Sequence, residues 1–335
     1  MKAIVCDRYG PPNVLRLEEV ERPTPRDNQV LVRVHASSLN AADLEILGGS
    51  VLARIGGPFR PRHRIPGSDV AGRVVAVGRG IKRLKEGDAV FGDLFMCGFG
   101  AFAEFVAVPE DALMRKPDST SFEDAATLPQ AAKIALQGLR GRRPLKKGQK
   151  VLINGAGGGM GTFAVQIAKY YGAEVTGVDS IGKLEMLRAI GADHVIDYAR
   201  EDCTRSGERY DLILDTVSRR SIFDCRRVMV PDGLFVLVGG SRYAIMQAML
   251  LGPLVSIASK KKMGINPMNV NNEEDMRFLL ELNEKGRLSP VIDRRIDLSE
   301  VPAALRDLSK GLVKGKVVVT VGHDDDYPGP DKGLT

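Results

Sequence analysis

The sequence predicts an α/β protein built from a β-rich, partly closed barrel and a doubly wound parallel sheet. Three observations predict it. Lys150–Tyr171, KVLINGAGGGMGTFAVQIAKYY, reads as a strand, a glycine-rich turn and a helix. From there to about residue 238 apolar runs alternate with stretches of helical spacing, the rhythm of βα units. Residues 1–120 instead carry short strands punctuated by Gly and Pro.

Taken in order, Met1–Arg8 and Val14–Val20 predict strands, followed by a turn at Pro23 and Pro25. Gln29–Ser37 alternates cleanly, with Val30, Val32, Val34 and Ala36 on one face and Leu31, Arg33 and His35 on the other. Asn40–Leu47 predicts a short helix, and Gly72–Val77 and Ala101–Val108 further strands. Near Asp118 the texture changes, and Ser121–Gly138 is alanine-rich and helical. Strands then fall at Lys150–Asn154, Glu174–Asp179, His194–Tyr198, Asp211–Asp215 and Leu234–Val238, with apolar runs suited to burial on both faces. Helices fall at 161–171, 182–190, 221–229 and 241–251. After residue 266 that rhythm stops. Helices at Glu273–Lys285 and Ser299–Lys310 and strands at Leu288–Ile296 and Lys316–Val321 read as a return to the first domain. The expected division is 1–120, 121–265, a returning segment 266–325, and a flexible polar tail 326–335.

A chain of 335 residues fits about two domains. The net charge is +6, yet the basic runs at Arg60–Arg64, Arg140–Lys147 and Lys260–Lys262 lack interleaved aromatics for base stacking, so nucleic acid is not an expected partner. No apolar stretch is long enough to cross a bilayer, and MKAIVCDRYG lacks the apolar run of a signal peptide, so no membrane partner is expected. Cys6, Cys97, Cys203 and Cys225 form no C-x-x-C pair, which argues against a zinc or disulfide framework and fits a reducing, cytoplasmic location.

The glycine turn carries the first chemistry. Ala156, Gly158 and Gly161 occupy the three positions of a G-x-G-x-x-G pattern. At the start of a helix, free backbone N–H groups and the helix dipole favour a pyrophosphate. Glycine is needed where a Cβ would meet phosphate, or would hold helix from strand. Gly155, Ala156, Gly158, Gly159, Met160 and Gly161 are thus candidate dinucleotide contacts. The next strand ends in Asp179, at the distance expected of a ribose-binding carboxylate.

A β-rich front, a dinucleotide-binding middle and a short return resemble the medium-chain dehydrogenase/reductase superfamily. YGPPNVLRLEEVERPTP, SSLNAADLEILGG, IPGSDVAGRVVAVGRG, GDAVFG, LRAIGADHVIDY, YDLILDTV and GKVVVTVG look like its quinone-oxidoreductase branch, the relatives of zeta-crystallin. The resemblance implies a GroES-like catalytic domain, a Rossmann domain, a nicotinamide cofactor and a homodimer. Zinc alcohol dehydrogenases of the same superfamily place a Cys and a His in the first domain. The matching positions here hold Asn40 and Ser68, and a later ligand position falls at Ala131–Ala132. Amide and hydroxyl groups are poor zinc ligands. His35, His63, His194 and His323 show no ligand spacing. No metal is therefore expected.

Without a Lewis acid, reduction of a quinone or an enone is easier than alcohol oxidation, because charge develops on a conjugated oxygen that hydrogen-bond donors can stabilise. Asn40, carried over from the family's site, is the first candidate donor and a cofactor contact. Asp43 organises its loop or the ribose. Glu45 stands where some relatives have Tyr. Ile134 stands where relatives usually have a Thr facing the nicotinamide. Lys133 beside it could stabilise an enolate oxygen or equally face solvent, the reading favoured by residue type. Asp179 favours NADH, whereas Lys183 and Tyr198 match positions at which the branch holds the 2′-phosphate, and Ser180 could add a donor. NADPH is narrowly favoured. Thr216, Val217, Val238, Gly239 and Gly240 end later strands on the ligand-facing edge, and Lys316 lies where relatives approach the cofactor from the first domain. Alternatives are a zinc-free alcohol dehydrogenase, an enoyl-thioester reductase with Arg60–Arg64 as a basic rim, and a dinucleotide-sensing or RNA-binding module without turnover.

Overall fold

The computed structural model describes residues 1–322 except 141–142, 241, 259, 267–268 and 270–271. The expected flexible tail, 326–335, lies outside the described residues. Two compact units account for the chain. One contains Met1–Pro117, Arg295–Ser309 and the residues from Val318; the other contains Asp118–Arg294 and Lys310–Val317.

The first unit is β-rich. It contains β1 (Lys2–Val5), β2 (Arg16–Glu19), β3 (Gln29–Ser38), α1 (Ala41–Leu47), α2 (Val51–Gly56), β4 (Asp69–Val77), β5 (Ala89–Asp93), β6 (Phe105–Pro109) and β7 (Leu113–Arg115). Strand β3 organises it. Its first half, Gln29–Arg33, pairs antiparallel with β6, while its whole length pairs with β4. Val30, Val32, Val34 and Ala36 are buried as their alternation predicts. Leu31, on the opposite face, is buried as well, because this unit packs material against both sides of the strand. Helix α1 begins at Asn40, whose backbone N–H donates to Asp43 Oδ2 at 2.8 Å, half of a capping box. Helix α2, which the alternation of the surrounding residues does not announce, is capped by Ser50.

The second unit contains α3 (Phe122–Ala125), a π-helical turn at Leu128–Ala132, α4 (Lys133–Arg140), β8 (Lys150–Asn154), α5 (Gly159–Tyr170), β9 (Glu174–Asp179), α6 (Leu184–Ala189), β10 (His194–Asp197), β11 (Tyr210–Asp215), α7 (Ile222–Arg227), β12 (Met229–Leu237), α8 (Arg242–Ala258), β13 (Lys262–Ile265) and α9 (Glu273–Glu284). Its six strands run in the order β10-β9-β8-β11-β12-β13, all parallel. Buried apolar side chains on both faces of β8, β9 and β11 explain their near-continuous apolar runs. The order reverses between β8 and β11, and a doubly wound sheet offers its ligand crevice beyond the carboxyl ends of those two strands.

The return segment starts later than the sequence suggests. Residues 266–294 belong to the second unit, and the crossing comes at Arg295 within β14 (Ile292–Asp297). The loss of βα rhythm after residue 266 marks the end of the sheet, not of the unit. Helix α9, capped by Asn272 and with Met276, Leu279 and Leu280 buried, continues the second unit. After α10 (Val301–Ser309) the chain adds Lys310–Val317 to that unit, then completes β15 (Lys316–Thr320), which pairs with Ala36–Ser38 of β3.

Candidate functional site

In the second unit the glycine turn lies at the predicted edge. Gly155 takes φ +82, a left-handed conformation that favours glycine, and its N–H and that of Ala156 donate to Val178 O. A Cβ on Gly155 would meet Thr216 Oγ1 at 2.2 Å. A Cβ on Gly161 would meet the Gly155 carbonyl oxygen at 2.2 Å and the backbone of Ala156 at 2.6 Å. Gly158 caps α5 in an extended conformation, and Gly159, Met160 and Gly161 form its first turn. The buried Phe163, Ala164, Ile167 and Ala168 then pin the helix. The turn thus brings glycine backbone to a helix N-terminus, a cradle that fits a pyrophosphate.

Two buried lysines lie against this bare backbone. A Cβ on Gly157 would fall 2.6 Å from Lys183 Cδ, and one on Gly159 2.8 Å from Lys316 Cδ. Lys316 belongs to the second unit, not to the first domain as the resemblance implies, and Gly315 N–H donates to Gly157 O at 2.9 Å. Asp179 is buried. Its Oδ2 accepts from Gly157 N–H at 2.8 Å, its Oδ1 from Ser180 N–H at 2.8 Å, and Lys183 Nζ lies 3.5 Å away. Tyr198 donates its backbone N–H to Asp179 O, and its half-exposed ring carries the guanidinium of Arg219 at 5.7 Å. Arg219 is a cation near Asp179's strand end that no motif announces.

Beyond β11, Asp215 holds the edge together. Its Oδ1 accepts from Asn154 Nδ2 and from the backbone N–H groups of Val217 and Ser218. Burial pushes the Asp215 carboxyl upward, against these donors. Thr216 Oγ1 donates to Asn154 O at 3.0 Å, and Ser218 Oγ to Gly239 O at 2.8 Å, while Val238 N–H reaches Asp215 O. Thr216, Val217, Val238, Gly239 and Gly240 therefore form one edge with the glycine turn. Lys133 and Ile134 stand at the junction of the π-helical turn and α4, which packs on α5. Lys133 is buried, a correction to the solvent-facing reading. A buried π-turn is a frequent functional device.

In the first unit Asn40 and Ser68 are joined. Asn40 Nδ2 donates to Ser68 Oγ at 3.2 Å and to Asp69 Oδ2 at 2.8 Å, and Ser38 Oγ donates to the same Asp69 oxygen at 2.7 Å. All four are buried. Both amide protons of Asn40 are engaged, so the expected donor to a substrate oxygen becomes a residue that positions Ser68. Asp43 is buried and caps α1, the organising role expected of it. Glu45 is exposed on the same helix. Asp69, adjacent to Ser68 in PGSDVAG, is the member that sequence reasoning missed.

Among the described residues no three of His, Cys, Asp and Glu converge as a metal site. All four cysteines are free thiols, and burial raises Cys203 to about 11 and Cys225 further. Metal ligation requires the thiolate.

Comparison with known proteins agrees with this geometry. A family described as alcohol dehydrogenase GroES-like domain matches residues 26–118, and one described as zinc-binding dehydrogenase matches residues 190–319. The chain is 33% identical over 330 residues to a 2-methylene-furan-3-one reductase of Solanum lycopersicum, covering 95% of this chain and 79% of that one. It is 32% identical over 330 residues to an NADPH-dependent alkenal/one oxidoreductase, chloroplastic, of Arabidopsis thaliana, with the same coverage. The solved quinone oxidoreductase of Coxiella burnetii superposes with a TM-score of 0.84 at 31% identity, covering 96% of this chain and 99% of that one.

The turn's geometry sets a direct test. Gly161→Ala places a methyl group against the Gly155 carbonyl, and we expect the dissociation constant for NADPH, read by nicotinamide fluorescence, to rise at least about tenfold. Gly182→Ala, with nothing within 4 Å of the added Cβ, should leave it unchanged. Equal binding by both variants would separate the turn from the cofactor.

Proposed function

The chain belongs to the medium-chain dehydrogenase/reductase superfamily, in its quinone oxidoreductase-like branch, and from that premise we propose that it is a zinc-independent, NADPH-dependent reductase of quinones or enones. The observation that carries the reading is the glycine-rich 155–161 turn, closed to side chains at Gly155 and Gly161 and flanked by Lys183 and Lys316, at the carboxyl ends of β8 and β11. Held at this turn, a nicotinamide dinucleotide would supply hydride, two electrons and a proton, for an electron-poor carbon, so that a conjugated oxygen would need its charge stabilised. Donors held in place before reaction stabilise that charge without reorganisation. Lys133, buried at the π-turn, is the cation assigned to this oxygen. Asn40 fixes the Ser68 hydroxyl, and Asp69 fixes Asn40. The donor set Asn40 and Ser68 supports the absence of a catalytic zinc, since neither offers the thiolate or imidazole that zinc prefers.

NADPH is the preferred coenzyme in this reading. Asp179 alone would repel a 2′-phosphate. Its oxygens are taken by two backbone N–H groups, however, and Lys183 offsets its charge at 3.5 Å. A homodimer is the assembly we infer. The 243–258 stretch of α8 contains no Asp, Glu, Lys or Arg and exposes Tyr243, Met246, Met249, Leu250 and Ile257, with Phe223 of α7 exposed as well. A contiguous apolar face of this kind suits a second copy of the chain.

Four outcomes are expected. Protein stripped with a chelator, and free of stoichiometric zinc by elemental analysis, should oxidise NADPH with 9,10-phenanthrenequinone or an enone, and Lys133→Met should lower kcat/KM at least about tenfold, the scale of one transition-state interaction. Silence across the acceptor panel, or activity that returns only with zinc, would end the reading. Lys183→Met should lower the ratio of kcat/KM for NADPH to that for NADH at least about tenfold, and an unchanged ratio would remove Lys183 from discrimination. Light scattering should give twice the chain mass, falling to one with Met246→Glu combined with Leu250→Glu; a wild-type monomer would refute the dimer.

A further inference from the structure

We propose that the α2 loop, Val51–Arg62, is a docking surface for an anionic lipid bilayer. Val51, Ile55 and Phe59 are 65%, 78% and 92% exposed. They recur every four residues, and Val51 and Ile55 share one face of α2. Single exposed apolar side chains are ordinary, but three within nine residues form a patch.

The patch is braced from behind. Arg54 Nε donates to Gly49 O at 3.0 Å and Nη1 to Pro58 O at 2.9 Å, and its guanidinium lies 4.9 Å from the Tyr9 ring centre. The Tyr9 hydroxyl lies between the carbonyls of Ala53 and Gly57, at 3.0 and 2.7 Å. A Cβ on Gly57 would fall 2.2 Å from Arg60 O, so the bend that carries Phe59 is closed to side chains. Polar groups thus hold three apolar side chains in water when burial would favour them.

Charge identifies the partner. Residues 50–64 contain Arg54, Arg60, Arg62 and Arg64 and no Asp or Glu. Arg54 belongs to the brace, and Arg64 pairs with Asp7 and Glu18. Arg60 and Arg62 are exposed and form no ion pair among the described residues. A second copy of the chain would set these arginines against each other. An anionic bilayer accepts both halves of the surface, the apolar tip at the acyl boundary and the guanidinium groups among phosphates. No helix is long and apolar enough to cross a membrane among the described residues, so the contact is peripheral. A bilayer contact departs from the sequence expectation of no membrane partner, which rests on the lack of a spanning or signal segment.

Co-sedimentation of the full chain with vesicles tests the surface. The protein should pellet with phosphatidylcholine vesicles containing phosphatidylglycerol, not with phosphatidylcholine alone, and raised salt should release it. Ile55→Ser with Phe59→Ser, and separately Arg60→Gln with Arg62→Gln, should each weaken partitioning at least about tenfold. Met96→Ser, an exposed apolar residue elsewhere in the same unit, should change nothing. Turnover of a soluble quinone should stay at the wild-type level in every variant, which also shows that each one folds. Absence of pelleting with either vesicle, as for a surface that meets an acidic protein, overturns the proposal. So does equal binding to both compositions, or binding indifferent to the tip. Sedimentation does not depend on catalysis, so failure of the reductase reading leaves this test intact.

Discussion

The contact between the Gly161 backbone and the Gly155 carbonyl governs the second unit. There is no space for a methyl group between them. Because there is none, α5 (Gly159–Tyr170) can begin within five residues of the end of β8 at Asn154. Gly155, held at positive φ, turns the chain early enough for this to happen. A single Cβ would push the helix outward and carry its dipole away from the crevice. The buried face of α5, from Phe163 to Ala168, then transmits that placement to the rest of the sheet.

Asp179 shows why a motif residue cannot be given one role from its position. Its carboxylate is at once a structural acceptor for the turn and a charge beside the nucleotide crevice. The Gly157 N–H that it binds comes from the turn itself, so neutralising Asp179 would loosen the cradle. Lys183, buried beside it, resolves the conflict by supplying the opposite charge at short range. Lys316, on the neighbouring glycine, places a second cation beside the same turn. The two lysine stems thus line the backbone of the turn, one at Gly157 and one at Gly159.

Much of this was legible in the sequence, for a physical reason. Strands buried on both faces, helices with one apolar stripe and turns that demand glycine each write a local pattern, and the 150–238 region consists of little else. What stayed hidden is tertiary. Lys133 has the composition of a surface residue, and only the packing of α4 on α5 buries it. The return of the chain at Arg295 is invisible because α9 has the same amphipathic pattern in either unit. Asp69 follows Ser68 in the motif, but its bond to Asn40 joins residues 29 apart. Lys316 reads as a first-domain residue by resemblance, yet it and Gly315 lie against the glycine turn of the second unit.

The same logic extends to the first unit, where positions that hold metal ligands in zinc relatives hold a hydrogen-bond network. Four metal bonds would fix a site by coordination. Here Asp69 performs that fixing as an acceptor, drawing in Ser38 and Asn40, and Asn40 in turn draws in Ser68. A buried carboxylate without donors would be strongly unfavourable, and the same low dielectric that makes it so strengthens each bond it does receive. The network therefore resists rearrangement for the reason that it is buried. It gives Ser68 a fixed hydroxyl, and it makes Asn40 the link between Ser68 and Asp69. Replacing Asp69 alone would strand Ser38 and Asn40 together, since both donate to its Oδ2. The two solutions share one requirement, a rigid polar group held away from water, and meet it with different chemistry.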